Sequence, residues 1–439
     1  MGKTYTIKEY DSFVCEKTVP GYTALPQKTF NQLKSFVLSN RNEESDALDL
    51  MSISAKKNGI GEVITAKNYV GVISMDDGTR IEILPKICSN ESYTDDQVKR
   101  LLVKMIRTLS DTPYKTVQTS LVDTAKMNIF EIYIRMFIDE IFYIVKRGLK
   151  CDYQAIQSNE NAIKGKIIFS EHIKRNIAHK EKVYVEYDEF NVNRPENRLI
   201  KSTLIYLYKR TGSVKNKADL KTLLSSFDEV DCSLDYDKDF TFCKKDRNTA
   251  DYKNAITWCR VFLKGESFTS FSGSNVVYAL LFPMEVLFES YVAKIVKDYF
   301  KGSEYLVKAQ DKRYHLFEEP TKKFLIKPDI AISNKVDKSI FLFDTKWKML
   351  SDSSANYGIS QVDMYQMYAY QKKYGAKSVT LLYPKTDKVK NEKIIYKSDD
   401  TIVNIKFIDL FAVHNCIELL CNEILNEDAK HIITSNEKN

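Results

Sequence analysis

The sequence predicts an α+β N-terminal region followed by an α/β C-terminal domain with a mixed central sheet flanked by helices. Three observations carry this expectation. Short apolar runs bounded by turn residues alternate with helically spaced segments in the first third of the chain. A Ser/Gly-rich break at residues 267–274 marks a boundary. Beyond that break the predicted order is helix, two strands, helix, strand, the alternation of a layered α/β domain.

Length and composition set the frame. A domain takes ~150 residues, so 439 residues call for several. The expected division is 1–160 as an N-terminal α+β domain, 161–266 as a connecting, partly helical region, and 267–439 as the C-terminal domain. Apolar residues at 44% and charged residues at 28% supply both cores and a charged surface. The longest apolar runs, such as 276–282, fall well short of the ~20 residues of a membrane span, and the N-terminus lacks an apolar signal core. The expectation is a cytoplasmic chain with no membrane association. Eight cysteines without a CxxC pair suit reduced thiols, and five histidines without paired-ligand spacing argue against a zinc site. The net charge of +7 permits a polyanionic partner without requiring one. Lys164, Lys166, Lys174 and Arg175 fall in a basic stretch that either tracks phosphates or forms an ordinary solvated face.

The elements follow in order. Pro26 suits a first helical position, and Phe30, Leu33, Phe36 and Val37 continue at helical spacing to Ser39. Strands are predicted at 62–66, 69–75 and 80–84, with Asp76-Asp77-Gly78 as the turn between the last two. Helical spacing covers 95–109 and 128–149, the second apolar enough to be largely buried, and again 196–210. After the break, a helix over 284–300 carries an apolar stripe of Leu287, Phe288, Tyr291, Val292, Ile295 and Val296, with Glu285 and Glu289 one turn apart beside it. Strands over 324–333 and 339–349 flank a polar turn at 334–338 and form an antiparallel hairpin. A helix over 362–374 places Gln366 and Tyr370 on one face, and a strand over 378–383 returns to the sheet.

The chemistry concentrates in the hairpin. The apolar run Phe341-Leu342-Phe343 ends in Asp344-Thr345-Lys346, charged groups where apolar ones are expected. Residues 344 and 346 share one face of a strand, about 6.5 Å apart. With the turn centred near Val336, Asp329 falls opposite or next to Asp344, so two carboxylates converge on a site for a divalent cation. Carboxylate oxygens suit Mg²⁺, which neutralises charge on a phosphoryl oxygen and sharpens a water as nucleophile. Lys346 is placed to orient that water or to stabilise the developing negative charge.

These residues resemble the PD-(D/E)xK nuclease superfamily. Pro328-Asp329 matches its first acidic motif, Asp344-Thr345-Lys346 its second, and Gln366 with Tyr370 the QxxxY motif of its RecB-like branch. The resemblance implies that Asp329 and Asp344 bind metal, helped by the Thr345 carbonyl, that Lys346 is catalytic, that Glu289 is the helix acid holding a metal-bound water, and that Gln366 positions the lysine. Mg²⁺ is the implied cofactor, with Mn²⁺ as a substitute.

Over most of its length the chain is also similar to the McrC family, nuclease subunits of McrBC-type modification-dependent restriction systems. The segments that carry this are 71–73 leading to 83–87, Lys164-Gly165-Lys166, 193–201, Leu287-Phe288-Glu289, the Asp-Thr-Lys hairpin and 363–370. The resemblance implies double-stranded DNA as substrate, and Lys164, Lys166, Lys174, Arg175 and Lys348 are the candidate DNA contacts. It further implies a McrB-like AAA+ GTPase hexamer as partner, which recognises modified DNA and binds the GTP, docking of the N-terminal part in that ring, stimulation of its GTPase, and self-association bridging two rings. The chain has no GxxxxGK[ST] loop of its own. Two alternatives stand beside this expectation: a nuclease whose partner reads an unmodified sequence, and a non-catalytic activator or scaffold of the ring.

Overall fold

The computed structural model describes residues 3–39, 50–56, 60–75, 77–87, 93–108, 129–243, 247–264, 276–390, 393–399 and 401–423. The described residues up to Ile129 and from Val276 onward form one compact unit, and those from Phe130 to Lys264 form another. The division expected at 160/161 is therefore drawn elsewhere, and the C-terminal third does not stand apart from the N-terminal strands. The physical reason is strand pairing across a long sequence gap. Val276–Pro283 pairs antiparallel with Tyr69–Met75, with Leu281 opposite Gly71 and Phe282 opposite Val70. It completes a sheet ordered Thr4–Lys8, Arg80–Leu84, Tyr69–Met75, Val276–Pro283. Gly71 allows the approach: at φ +140°, a Cβ there would lie 1.9 Å from the Leu280 carbonyl oxygen. The Ser/Gly-rich break at 267–274 lies outside the described residues.

The N-terminal helix runs Gln27–Ser39, and Phe30, Leu33, Phe36 and Val37 are buried as their spacing requires. They share a core with Ile64, Ile73, Ile81, Ile83 and Leu281, which joins the first sheet to a second one ordered Tyr22–Leu25, Ser12–Cys15, Gly61–Ala66, Met51–Lys56. The expected hairpin pairs Ser74 with Arg80. Its Asp77 accepts the Thr79 N–H, while Asp76 lies outside the described residues. The helix predicted over 95–109 is observed as Asp95–Ile106, closed at its start by a reciprocal capping box between Thr94 and Gln97.

The second unit takes in the helix Ile129–Lys146 from Phe130 onward; it is apolar around most of its circumference and accordingly buried, with Phe137 and Phe262 in edge contact and Tyr133 beside Trp258. Pro195–Arg210 begins with proline at its first position. A small sheet of Asp152–Glu160, Val183–Asn191 and Lys166–Ile167 completes the unit.

Among the described residues the largest sheet has six strands in the order Tyr305–Ala309, Ile330–Asn334, Ile340–Thr345, Ser378–Pro384, Thr401–Ile408, Ile394–Ser398. The first three alternate in direction, each antiparallel to its neighbour, and the third, fourth and fifth run parallel. This is the mixed α/β architecture expected of the C-terminal domain. The helix Gln361–Tyr374, capped by Ser360 at its start and by left-handed Gly375 at its end, lays Met367, Tyr370 and Tyr374 against Leu342, Val379, Leu381 and Ile405 of one sheet face. One expectation is corrected. The strand predicted over 324–333 is two strands, Lys323–Ile326 and Ile330–Asn334, and they belong to different sheets. Pro328 lacks the N–H a continuous ladder would use, and the chain changes sheet across residues 327–329. The second arm likewise ends at Thr345 and does not reach Met349.

Candidate active site

The site begins with the register of the acidic hairpin. Ile330 pairs with Phe343 and Ala331 with Leu342, so Asp329, one step before the strand, lies opposite Asp344. Side chains alternate along a strand. Asp344 therefore shares the face of Leu342, towards the helix Gln361–Tyr374, and Asp329 that of Ala331. Asp344 is 2% exposed, a position where an ionised carboxylate requires compensation.

Each acid is held differently. Thr345 donates its backbone N–H and its hydroxyl to Asp329 Oδ2, both at 2.7 Å. Lys346 Nζ stands 2.7 Å from Asp344 Oδ2, close enough for an ion pair but outside hydrogen-bond alignment, so that this buried oxygen lacks an aligned donor. Lys346 Nζ donates instead to Gln366 Oε1 at 3.2 Å. Gln366 Nε2 passes the chain on to the Tyr370 hydroxyl at 2.6 Å, and that hydroxyl donates to the Lys327 carbonyl at 2.9 Å. A closed relay thus runs from the lysine through the helix back to the segment that carries Asp329.

The electrostatics follow from burial and crowding. Burial first, then the Asp329 charge, pushes the Asp344 carboxyl up to about 7, and the same two causes in the same order push Glu289 up to about 7. Asp329 is raised by burial, against the two Thr345 hydrogen bonds. Burial works against the Lys346 ammonium, yet Asp344, Asp329 and Asp363 outweigh it and raise its pKa. Lys346 therefore carries its proton at neutral pH.

Glu289 projects from the helix Met284–Tyr299, whose stripe of Leu287, Phe288, Tyr291, Val292, Ile295 and Val296 is buried as predicted. Gln310 Nε2 donates to Glu289 Oε1 at 2.7 Å. Glu285, one turn earlier, accepts from Asn68 of the N-terminal region instead. Among the described residues no three His, Cys, Asp or Glu side chains are placed to share one cation, so Glu289 does not join Asp329 and Asp344 in a ready-made cage. The donor set still fits Mg²⁺, which keeps most of its waters and needs only one or two carboxylates. The buried Asp344 oxygen without an aligned donor and the repulsion that Asp329 exerts on both Asp344 and Glu289 are relieved by a cation.

Residues 64–384 match the family model of the McrBC 5-methylcytosine restriction system component, well over half of the chain. The chain belongs to this McrBC family. The fold of this McrBC component is that of a chain in the refined half-complex from the tetradecameric assembly of Thermococcus gammatolerans McrB AAA+ hexamers with bound McrC, at 17% identity and a TM-score of 0.67, covering 96% of this chain and 100% of that one. A chain of the Thermococcus gammatolerans McrBC complex matches 67% of this chain and 87% of its own length, at 18% identity and a TM-score of 0.49. Comparison with curated protein sequences finds no match.

In this McrBC component the structure brings Asp329, Asp344, Thr345, Lys346, Gln366 and Tyr370 together through the contacts above, with Glu289 at the edge through Gln310. The basic residues singled out in the sequence are in different places. Lys164, Lys166, Lys174 and Arg175 are exposed in the second unit, where Glu171 pairs with Arg175 at 2.8 Å and with Lys174 at 3.8 Å. Lys348 is exposed in the first unit, two residues past Lys346. Sequence reasoning missed Gln310, and it missed Glu9, a fully buried acid whose two oxygens accept from the Trp347 indole at 3.1 Å and the Lys86 N–H at 2.9 Å. The only sequence signal for Glu9 was a charge beside a strand. Trp347 also packs 5.5 Å from Phe288, so the residue after Lys346 is gripped from two elements. Among the described residues no helix is long and apolar enough to cross a membrane.

Proposed function

We propose that this chain is the nuclease subunit of a McrBC-type restriction system, a PD-(D/E)xK endonuclease that cleaves double-stranded DNA in the cytoplasm with Mg²⁺, or Mn²⁺ in its place. The observation that carries the reading is Asp344 facing Asp329 across the hairpin with the protonated Lys346 ammonium 2.7 Å from Asp344. Asp329, Asp344 and the Thr345 carbonyl would hold the metal, and Glu289 would reach it through a water. When bound, Mg²⁺ neutralises charge on the scissile phosphate and lowers the pKa of an attacking water. Lys346 donates to a non-bridging phosphate oxygen and stabilises the charge that grows there. Its orientation is set by Gln366 and Tyr370, and Lys348 contacts the DNA backbone nearby.

The partner in this proposal is a McrB-like AAA+ GTPase hexamer that selects modified DNA, binds the GTP and is stimulated by this chain. The tetradecameric Thermococcus gammatolerans assembly of McrB hexamers with bound McrC supports that pairing; in the proposal, self-association of this chain would bridge two such rings. Lys164, Lys166, Lys174 and Arg175, exposed in the second unit, then serve as DNA contacts. The test is a cleavage assay of the complex with GTP and Mg²⁺ on methylated and unmethylated plasmids, with and without chelator, for the wild type and Asp344→Ala. Expected are chelator-sensitive cleavage of methylated DNA by the wild type, none by Asp344→Ala, and unchanged partner binding by both. Cutting by Asp344→Ala overturns the site, and GTPase stimulation without any cleavage by the wild type favours a scaffold.

A further inference from the structure

Gln310 stands where three pieces of the site meet. Its backbone N–H donates to the Asp329 carbonyl at 2.7 Å, one step beyond the last paired residues Ala309 and Ile330. Its side-chain Nε2 donates to Glu289 Oε1 at 2.7 Å. The next residue, Asp311, is buried, its carboxylate held by Arg313 at 2.5 Å and its carbonyl by the Tyr374 hydroxyl at 3.1 Å, which anchors the segment to the helix of Gln366. Gln310 itself adopts φ +48°, the left-handed region that costs a non-glycine residue without a turn to gain from it. Gln310 thus binds the site at two points, its backbone N–H at the Asp329 carbonyl and its side chain at the Glu289 carboxylate.

The chemistry of the carboxamide is suited to the place. Glu289 and Asp329 repel each other, and a lysine or arginine between them would remove that repulsion by pairing. It would equally compete with a divalent cation for the same oxygens. A carboxamide orients one carboxylate oxygen with a neutral hydrogen bond and leaves the negative charge of the site intact.

Resting on the nuclease reading above, we propose that Gln310 is a positioning residue for the metal site: it aims the Glu289 carboxylate at the cation and its waters while its backbone fixes Asp329. The test uses Gln310→Gly, which relieves the positive φ and removes only the side chain, and Gln310→Met, which keeps the length of the side chain and its neutrality but loses the donor. Both are assayed in the complex with the GTPase partner. Mn²⁺ binding to the chain by calorimetry is the readout independent of cleavage. For both variants the Mn²⁺ dissociation constant and the Mg²⁺ concentration for half-maximal cleavage should rise about tenfold, with DNA affinity unchanged and Gln310→Gly melting no lower than wild type. Wild-type Mn²⁺ affinity and Mg²⁺ requirement in both variants, while the wild type cleaves and Asp344→Ala does not, would overturn the role of Gln310 alone. Absence of metal-dependent cleavage and of Mn²⁺ binding in the wild type would overturn the nuclease reading and this inference with it.

Discussion

Thr345 binds Asp329 twice, its amide and its hydroxyl both reaching Oδ2 at 2.7 Å. No hydrogen bond engages Oδ1 among the described residues. The residue between the second acid and the lysine thus fixes the first acid across the hairpin. Replacing Thr345 by Val keeps the shape and the amide but loses the hydroxyl donor. A hydrogen bond to a charged group contributes about 1.5–3 kcal/mol, so Thr345→Val should unfold more easily by about that amount and cleave about tenfold more slowly. Thr345→Ser should stay near wild type in both denaturant titration and single-turnover cleavage, and equal behaviour of the two variants would dismiss the hydroxyl.

The relay from Lys346 through Gln366 to Tyr370 ends on the Lys327 carbonyl. Tyr370→Phe removes the terminal donor and strands the Gln366 amide. It should cost about 1 kcal/mol of stability and about tenfold in kcat at unchanged DNA affinity, because the lysine loses its orientation and keeps its charge. Gln366→Ala, which severs the relay next to the lysine, should lose more. A Tyr370→Phe enzyme with full kcat would show that the relay only packs.

The pH dependence of stability follows from the acids. Asp344, ordinarily at 3.8, is pushed up to about 7 by burial and then by Asp329. An acid raised on folding weakens the fold above its folded pKa and not below its unfolded value. In chelator, the protein should therefore become more stable as pH falls from about 8 towards 5, Glu289 adding to the same window. Asp344→Asn removes the cost while Lys346 keeps Gln366 as an acceptor. It should raise stability at pH 8 by on the order of 2 kcal/mol, the gap narrowing as pH falls and closing below about 4. Thermal melts across that range decide it, and an Asp344→Asn variant less stable than wild type at pH 8 contradicts the sign.

Gly71 joins the first hundred residues to the last third. A Cβ there meets the Leu280 carbonyl at 1.9 Å in a backbone conformation that L-residues avoid. Gly71→Ala should destabilise the first unit by at least about 3 kcal/mol, seen as a large fall in Tm. A fall of only a few degrees would mean that the two strands part without consequence.

Much of this molecule was legible in one dimension, because local periodicity acts over a few residues. The apolar spacing of Phe30 to Val37 and of Leu287 to Val296 predicts helices that are found, and a turn centred near Val336 is enough to set Asp329 opposite Asp344, since a hairpin register depends on the turn and on alternation alone. The pair Gln366 and Tyr370 needed only helical geometry to share a face. What the tertiary structure alone decided are contacts across long sequence separations. The pairing of 276–283 with 69–75, the hold of Glu9 on Trp347 and the bridge from Gln310 to Glu289 leave no periodic trace, because each depends on where distant segments are brought by the packing of others. The break at 327–329 belongs to the same class, for residues of strand-forming type are committed to one sheet or another only by their neighbours in space. The amino-acid order therefore determined which residues are proposed to carry the chemistry, and the packing of distant segments determined how they are held.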